Sequence, residues 1–287
     1  MTTKQRIAYF SKRGRKLVAR EQKSSFLGMK MGKRLGWLLS LLLSWGAIAN
    51  VENSAKAQSA TDAPAELQEV VSQIESAANE RDIKALLEFY SPEFTNNDGM
   101  TSAAMAEALE QMWKSYPQLQ YTTEIQSWER VGDDLIAETV THIRGTQQSQ
   151  GRAINLDSTL HSRQYFQNQK LVRQEILSEQ TKLTSGNNPP EVEVILPEQV
   201  KVGQEYNFDV VVTEPLGDSV LLGAATEEQT GSDRFLNPTP LELEPLASGG
   251  IYKLATAPET PDDRWLSAIL VRGDGITMVT QRVRVEE

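Results

Sequence analysis

The sequence predicts an α+β domain of three helices and a long, curved antiparallel sheet, followed by an all-β antiparallel sandwich. Three observations carry this. Apolar residues recur at helical spacing between Leu67 and Tyr116, and from Leu119 the period turns to that of strands in four long segments. Beyond Ser185-Gly186-Asn187-Asn188-Pro189-Pro190, a run that continues neither strand nor helix, only short strand-like segments joined by Gly/Pro/Asp-rich turns remain.

The chain opens on a leader. Leu35 to Ala49 is its only long apolar run, preceded by Lys30, Lys33 and Arg34 and followed by small residues ending in Ala55-Lys56-Ala57. A basic segment, a short apolar core and an A-x-A site have the form of a secretory signal peptide, so residues 1–57 read as a leader cleaved near Ala57. The alternative is an anchor formed by Leu35 to Ala49. A bilayer-crossing helix wants about 20 apolar residues, and Gly36, Ser40, Ser44 and Gly46 interrupt this shorter run. The basic polar stretch before Met29 exceeds what a leader needs, so translation from Met29 or Met31 is expected to suffice.

Residues 58–64 read as a flexible spacer. Leu67, Val70, Val71, Ile74, Ala77 and Ala78 then form one helical face, and Ile83, Leu86, Leu87 and Tyr90 a second, with Asp82 placed to cap its first turn. A third helix is expected from about Thr101 to Tyr116, after the turn Asn96-Asn97-Asp98-Gly99 and before Pro117. Turn residues near 132–134, 149–151 and 167–169 divide the following segment into four strands longer than the usual five or six residues. Such strands must bend, and helices are expected on their concave face, making a cone-shaped domain over residues 65–184. Residues 185–190 read as a linker. In 191–287 the candidate strands are Glu191 to Leu196, Glu205 to Thr213, Ser219 to Thr226, Gly250 to Ala255, Arg264 to Arg272 and Ile276 to Val285, with Trp265 as the expected large core residue.

Charge sharpens the division. Twelve of the 29 basic and two of the 39 acidic residues lie in 1–57, leaving 17 basic and 37 acidic residues and a net charge of −20 for the rest. Such a body repels nucleic-acid phosphates and anionic lipid heads, so nucleic acid and, after cleavage, membrane are not expected partners. With no cysteine, disulfides and thiol chemistry are excluded and stability must come from apolar cores.

The stretch AELQEVVSQIESAANERDIKALLEFYSPEF, the third helix and the strands ending RQYFQNQKLVRQEI together resemble the nuclear transport factor 2-like superfamily, which includes ketosteroid isomerase and the SnoaL-like polyketide cyclases, over residues 65 to 183. The second part resembles immunoglobulin-like domains without their inter-sheet disulfide. The first resemblance implies a half-open cone able to hold a small molecule, and dimers or complexes through the outer face of its sheet. It does not imply one activity, because the fold hosts many. The Asp base and Tyr/Asp oxyanion hole of ketosteroid isomerase do not map residue by residue onto this chain.

Candidate chemistry is sparse. His142 and His161, the only histidines, fall on the second and third long strands. With a hairpin turn at Ser149-Gln150, His142 opposes Asp157 and Glu138 opposes His161; a turn at Gln150-Gly151 moves the register by one step, and both histidines still share a face. They then lie about 13 Å apart at ~3.3 Å per residue, too far to share one metal ion. A His-carboxylate pair with Arg144, Arg163 and Tyr165 beside it could serve as a general base if it lined the cone. The competing reading is a solvated outer face with cross-strand ion pairs. It is favoured because the opposite parity (Ile154, Leu156, Ser158, Leu160, Ser162, Phe166) is half apolar and suited to lie under helices. The interior would then offer Ser158, Ser162, Thr139 and Thr141.

Asp98 occupies the loop where some enzymes of the resembled superfamily place a functional polar group, although Asn-Asp-Gly is also a turn sequence in its own right. The catalytic candidates are therefore Asp98, His142, Asp157 and His161. Tyr90, Trp113, Tyr116, Tyr121 and Trp128 are the aromatic candidates for an apolar ligand pocket. The turn aspartates Asp233, Asp262, Asp263 and Asp274 lack the repeated spacing of a calcium site. No metal and no cofactor is expected. The sequence points to an exported, non-catalytic protein that binds a small apolar molecule or a protein partner through the cone, with a homodimer through its sheet as a further expectation. The alternative is an isomerase or cyclase of SnoaL-like type, and a buried carboxylate or histidine aimed into a closed pocket would favour it.

Overall fold

The residues described, in a computed structural model, are 58–149, 151–217, 219–232, 234, 241–273 and 275–287. The leader, Asp233 and Asp274 lie outside them. Strand β1 (Gln58–Ser59) pairs with a later strand, so this part of the expected spacer is held on a sheet.

Helix α1 (Ala65–Glu80) forms on the predicted face, burying Leu67, Val70, Val71, Ala77 and Ala78, and ends at Arg81 in the left-handed conformation (φ 57°). Asp82 then caps α2 (Ile83–Glu88) by accepting from the backbone N–H groups of Lys84 and Ala85. The second helix is shorter than the periodicity suggested. Tyr90, expected on its face, instead opens strand β2 (Tyr90–Asn96), because Pro92 breaks the helical path and a strand edge waits beside it. Helix α3 (Ser102–Ser115) is capped by the Thr101 hydroxyl, which accepts from Ala104 N–H.

The four long strands follow as read: β3 (Gln120–Val131), β4 (Asp134–Ser149), β5 (Arg152–Gln167) and β6 (Lys170–Ser185). They pair antiparallel in sequence order. The β5–β6 turn places Asn168 and Gln169 at φ 48° and 61°, the backbone a two-residue hairpin needs. From α1, Asn79 grips the backbone of Tyr121 through both ends of its amide, and Glu75 accepts from Thr123 N–H at 2.6 Å. These contacts blunt the outer edge of β3.

The strands beyond are β7 (Val192–Ile195), β8 (Gln199–Lys201), β9 (Glu205–Val212), β10 (Leu221–Gln229), β11 (Glu244–Pro245), β12 (Gly250–Thr256), β13 (Asp262–Arg272) and β14 (Gly275–Glu286). They divide between two sheets. β7, β9 and β12 make a three-stranded sheet, whereas β14, β13, β10 and β11 continue the large one, because β14 pairs with β6 from Gln180 to Ser185. The free edge of β6 is thus filled in series. β2 takes Leu171 to Gln174, the Asn97 amide bonds both backbone groups of Ile176, and β14 takes the remainder.

Register sets the layers. On β14, Val279, Val283 and Val285 join Leu266, Ala268 and Leu270 of β13 and Phe208 and Val210 of β9 in one apolar core, so the three-stranded sheet lies on that face. The alternate residues of β14 and β13, including Thr280, Arg282 and Trp265, share the face of Thr181 that the helices cover in the first half. Trp265 is buried as expected, but away from the apolar core of the second half.

Candidate functional site

Between α1, α2 and α3 and the inward faces of β3 to β6 lies a cavity of about 240 Å³. Its walls are mainly apolar, with Val71, Ile74, Met105, Leu109, Ile143 and Leu160 among them. Thr141, Ser158 and Thr181 add hydroxyls on the sheet side, and Gln164 and Gln174 add amides. Ser158 and Thr181 bond one another at 2.7 Å, and Thr139 bonds Ser162 in the sheet below. Among the described lining residues only Glu75 and Glu179 are charged. Glu75 also lines a wider polar groove outside, together with Arg81, Arg144 and Lys182, so it stands where cavity and groove meet.

Glu179 was not a candidate from sequence, and the reason is local. Ile176 faces inward opposite Ser162, and simple alternation would then aim Ser178 inward and Glu179 out. A β-bulge at Leu177 inserts one residue, so Ser178 opposes His161 and Glu179 opposes the inward Leu160. No periodicity announces this.

The second half then fixes the carboxylate. Arg282 follows Gln281, which pairs with Gln180, and therefore stands beside Glu179; Trp265 pairs with Arg282 on the next strand. Trp265 Nε1 donates to Glu179 Oε2 at 2.9 Å, and Arg282 Nη2 lies 3.4 Å from the same oxygen. The Arg282 guanidinium also sits 5.7 Å over the Trp265 ring. Its stronger partners are elsewhere. Nη1 and Nη2 donate to the two oxygens of Asp98 at 2.9 and 2.6 Å, and Nη1 to Asp263 Oδ2 at 3.0 Å. Asn97 Nδ2 donates to Asp263 Oδ2 as well. Burial raises the Glu179 carboxyl above its ordinary value against the opposing pull of Arg282 and the Trp265 N–H. Asp263 is raised for the same first cause.

Asp98 is thus more than a turn residue: its side chain is fully buried in an ion pair with a strand at the far end of the chain. The histidine pairs do not form. The β4–β5 register is the second of the two expected, pairing Ser149 with Arg152, and it opposes Arg144 to Asp157, Glu138 to Arg163 and His142 to Thr159. Arg144 bonds Asp157 at 3.2 Å, Arg163 bonds Glu138, and His142 Nδ1 meets Thr159 Oγ1 at 3.1 Å. All lie on the face opposite the cavity, because charged groups stay hydrated there and the half-apolar parity goes under the helices. His161, on that outer face, has its Nε2 buried without a hydrogen-bond partner among the described residues, beside Glu198 and Arg284.

The aromatic set is divided. Tyr90 and Tyr121 line the cavity, and burial pushes the Tyr90 hydroxyl up to about 12. Trp113 is core and donates to Tyr121 Oη at 3.1 Å; Trp128 packs with Leu67 and Phe166; Tyr116 packs near Trp113 without reaching the cavity. Among the described residues no group of three His, Cys, Asp or Glu side chains is placed to hold a metal ion.

A family model described as a domain of unknown function (DUF8623) matches residues 187–286. No curated protein matches the chain. Among solved structures the chain is similar to a putative SnoaL-like polyketide cyclase from Shewanella putrefaciens at 17% identity and TM-score 0.32, covering 40% of this chain and 90% of that one. It is also similar to a hypothetical protein with a ketosteroid isomerase-like fold from Catenulispora acidiphila at 14% identity and TM-score 0.28, covering 38% and 83%. A third similarity is to Bd1075 of Bdellovibrio bacteriovorus, at 16% identity and TM-score 0.29, covering 39% of this chain and 38% of that one.

Proposed function

We propose that residues 65–184 are a cone of nuclear transport factor 2-like type that binds a small, mainly apolar ligand, and that residues 191–287 are an immunoglobulin-like sandwich that completes the cone's polar side. The single observation behind this reading is the cavity of about 240 Å³ between the helices and the sheet, with apolar walls and a few convergent polar groups. The space corresponds to roughly eight water molecules at ~30 Å³ each, which suits a single ring or a short chain. Export by the leader belongs to the same proposal. The lack of cysteine leaves such a chain nothing to be mispaired by oxidation outside the cytoplasm.

The reading is of a binding protein. One oxygen of Glu179 is held by Trp265 and approached by Arg282, and the histidines lie on the outer face. The test is a panel of small apolar molecules followed by calorimetry on the full chain and on Ala108→Phe, whose ring would occupy the cavity from α3. Binding by the parent and its loss in a folded Ala108→Phe supports the reading. Unchanged binding in that variant refutes it.

Glu179 itself favours a second reading, an isomerase or cyclase that moves a proton through this carboxyl. A ligand that the parent converts, and that Glu179→Gln binds without converting, would establish it.

A further inference from the structure

We infer that the cavity selects a small apolar cation, an amine on a hydrocarbon frame, with Glu179 as its counter-charge. The inference rests on the cavity being a ligand site, and it comes from how the buried charges are shared out. Asp98 takes both nitrogens of Arg282 with both side chains at 0% exposure. Asp263 shares Arg282 Nη1, accepts from Asn97, and feels Arg284, the residue it opposes on β14. Glu179 is left with the Trp265 N–H and the longest of the guanidinium contacts. Its Oε1 has no hydrogen-bond partner among the described residues, and its side chain keeps 15% exposure while lining the cavity.

Among the described residues nothing basic lines that space to complete the pairing. The cations of the outer groove, Arg81, Arg144 and Lys182, do not reach the inner cavity, whereas Glu75 stands at the junction and Tyr90 and Tyr121 are in the wall. An ammonium group entering past Glu75 would find a carboxyl group in mainly apolar surroundings that screen charge poorly, with the two phenol rings in the opposite wall. A carboxylate ligand would face like charge at both places. The groups around Glu179 on every element packed against it are Arg282 on β14, Asp263 and Trp265 on β13, Asp98 in the loop before α3, and Glu75, Tyr90 and Tyr121 across the cavity. Burial favours the protonated acid in the empty cavity. An ammonium favours the ionised form of Glu179, so amine affinity falls as pH is lowered through the raised range of this carboxyl.

The experiment is isothermal titration of the full chain with three probes of one frame: benzylammonium, benzyl alcohol and benzoate. The expected result is benzylammonium bound at least about tenfold tighter than benzyl alcohol, in line with a hydrogen bond to a charged group, and benzoate weakest. Amine affinity should drop on acidification while that of the alcohol stays level. Glu179→Gln should erase the amine preference, bringing amine and alcohol affinities within about twofold of one another, provided far-ultraviolet circular dichroism shows it folded. Equal affinity for amine and alcohol in the parent overturns the inference and leaves the cavity standing, and this comparison needs no variant. Failure of all three probes overturns the inference together with the cavity reading beneath it.

Discussion

Arg282 Nη2 donates to Asp98 Oδ2 at 2.6 Å, with both side chains removed from solvent, although the two residues are 184 positions apart. One lies in the loop between β2 and α3, the other on the last strand, so the bond ties the helical half of the chain to its end. A buried pair adds little beyond what a packed apolar pair would give, but breaking it by removing one partner leaves a charge stranded.

Asp98→Ala should therefore destabilise the fold by about 3–5 kcal/mol, and Arg282→Met by a similar amount. The double variant should lose clearly less than the sum, because neither charge is then left alone. Urea denaturation, followed by fluorescence of Trp113 and Trp265 and by circular dichroism, checks both points. Full additivity in the double variant would show that the pair is not coupled.

Much of the first half could be read from local signals, because each of its long strands ends at a turn residue in a backbone conformation that few residues accept, such as Gly132 at φ 64° and Gly151 at φ 78°. The parity of β5 likewise identified its inner face from Leu156, Ser158 and Ser162. What escaped was non-local or off-period. The Asp98 partner stands on a strand with no sequence proximity, the joining of β14 to β6 depends on an edge that only the fold exposes, and the bulge at Leu177 reverses the parity that would have revealed Glu179. Tyr90 keeps helical spacing yet opens β2, because Pro92 ends the helical path.

The acid dependence of stability should carry the mark of Glu179 and Asp263. Both are raised above their ordinary values of 4.5 and 3.8, chiefly by burial. The folded chain then holds these protons at pH values where the unfolded chain has released them. Their contribution to stability is greatest below the unfolded values and declines as pH rises through the raised ones. The stability of the parent relative to Glu179→Gln should accordingly fall from acid toward neutral pH, as read from urea midpoints. A difference that is constant or grows with pH would contradict the assignment.

Gly275 tests the passage between the two halves. A Cβ there would lie 2.6 Å from the Cα of Pro189 and overlap the carbonyl of Asn188, both backbone groups that no rotamer change can move. The same segment is held by Thr277, whose hydroxyl donates to Pro190 O at 2.6 Å. Gly275→Ala should push residues 188–190 away and cost about 1–3 kcal/mol, whereas Gly132→Ala, with open space around it, should cost only its left-handed backbone strain. Thermal melts of the two variants compare these costs directly. An unchanged melting temperature in Gly275→Ala would mean that the close approach at Gly275 is not a constraint.

The last prediction concerns cutting the chain after Pro190. Cα partners on β14 cover β6 from Gln180 to Ser185, and without them six residues of strand edge present unpaired backbone groups. Asp98 would lose both nitrogens of Arg282, and Glu179 the Trp265 N–H. An exposed edge and two stranded carboxyls act together, since the edge invites a second chain and the unpaired charge weakens the loop before α3. Residues 58–190 expressed alone should self-associate or melt without a cooperative transition, as seen by size-exclusion chromatography and differential scanning calorimetry. A monomer that melts cooperatively and still binds the parent's ligands would show that the second half is dispensable to the cavity.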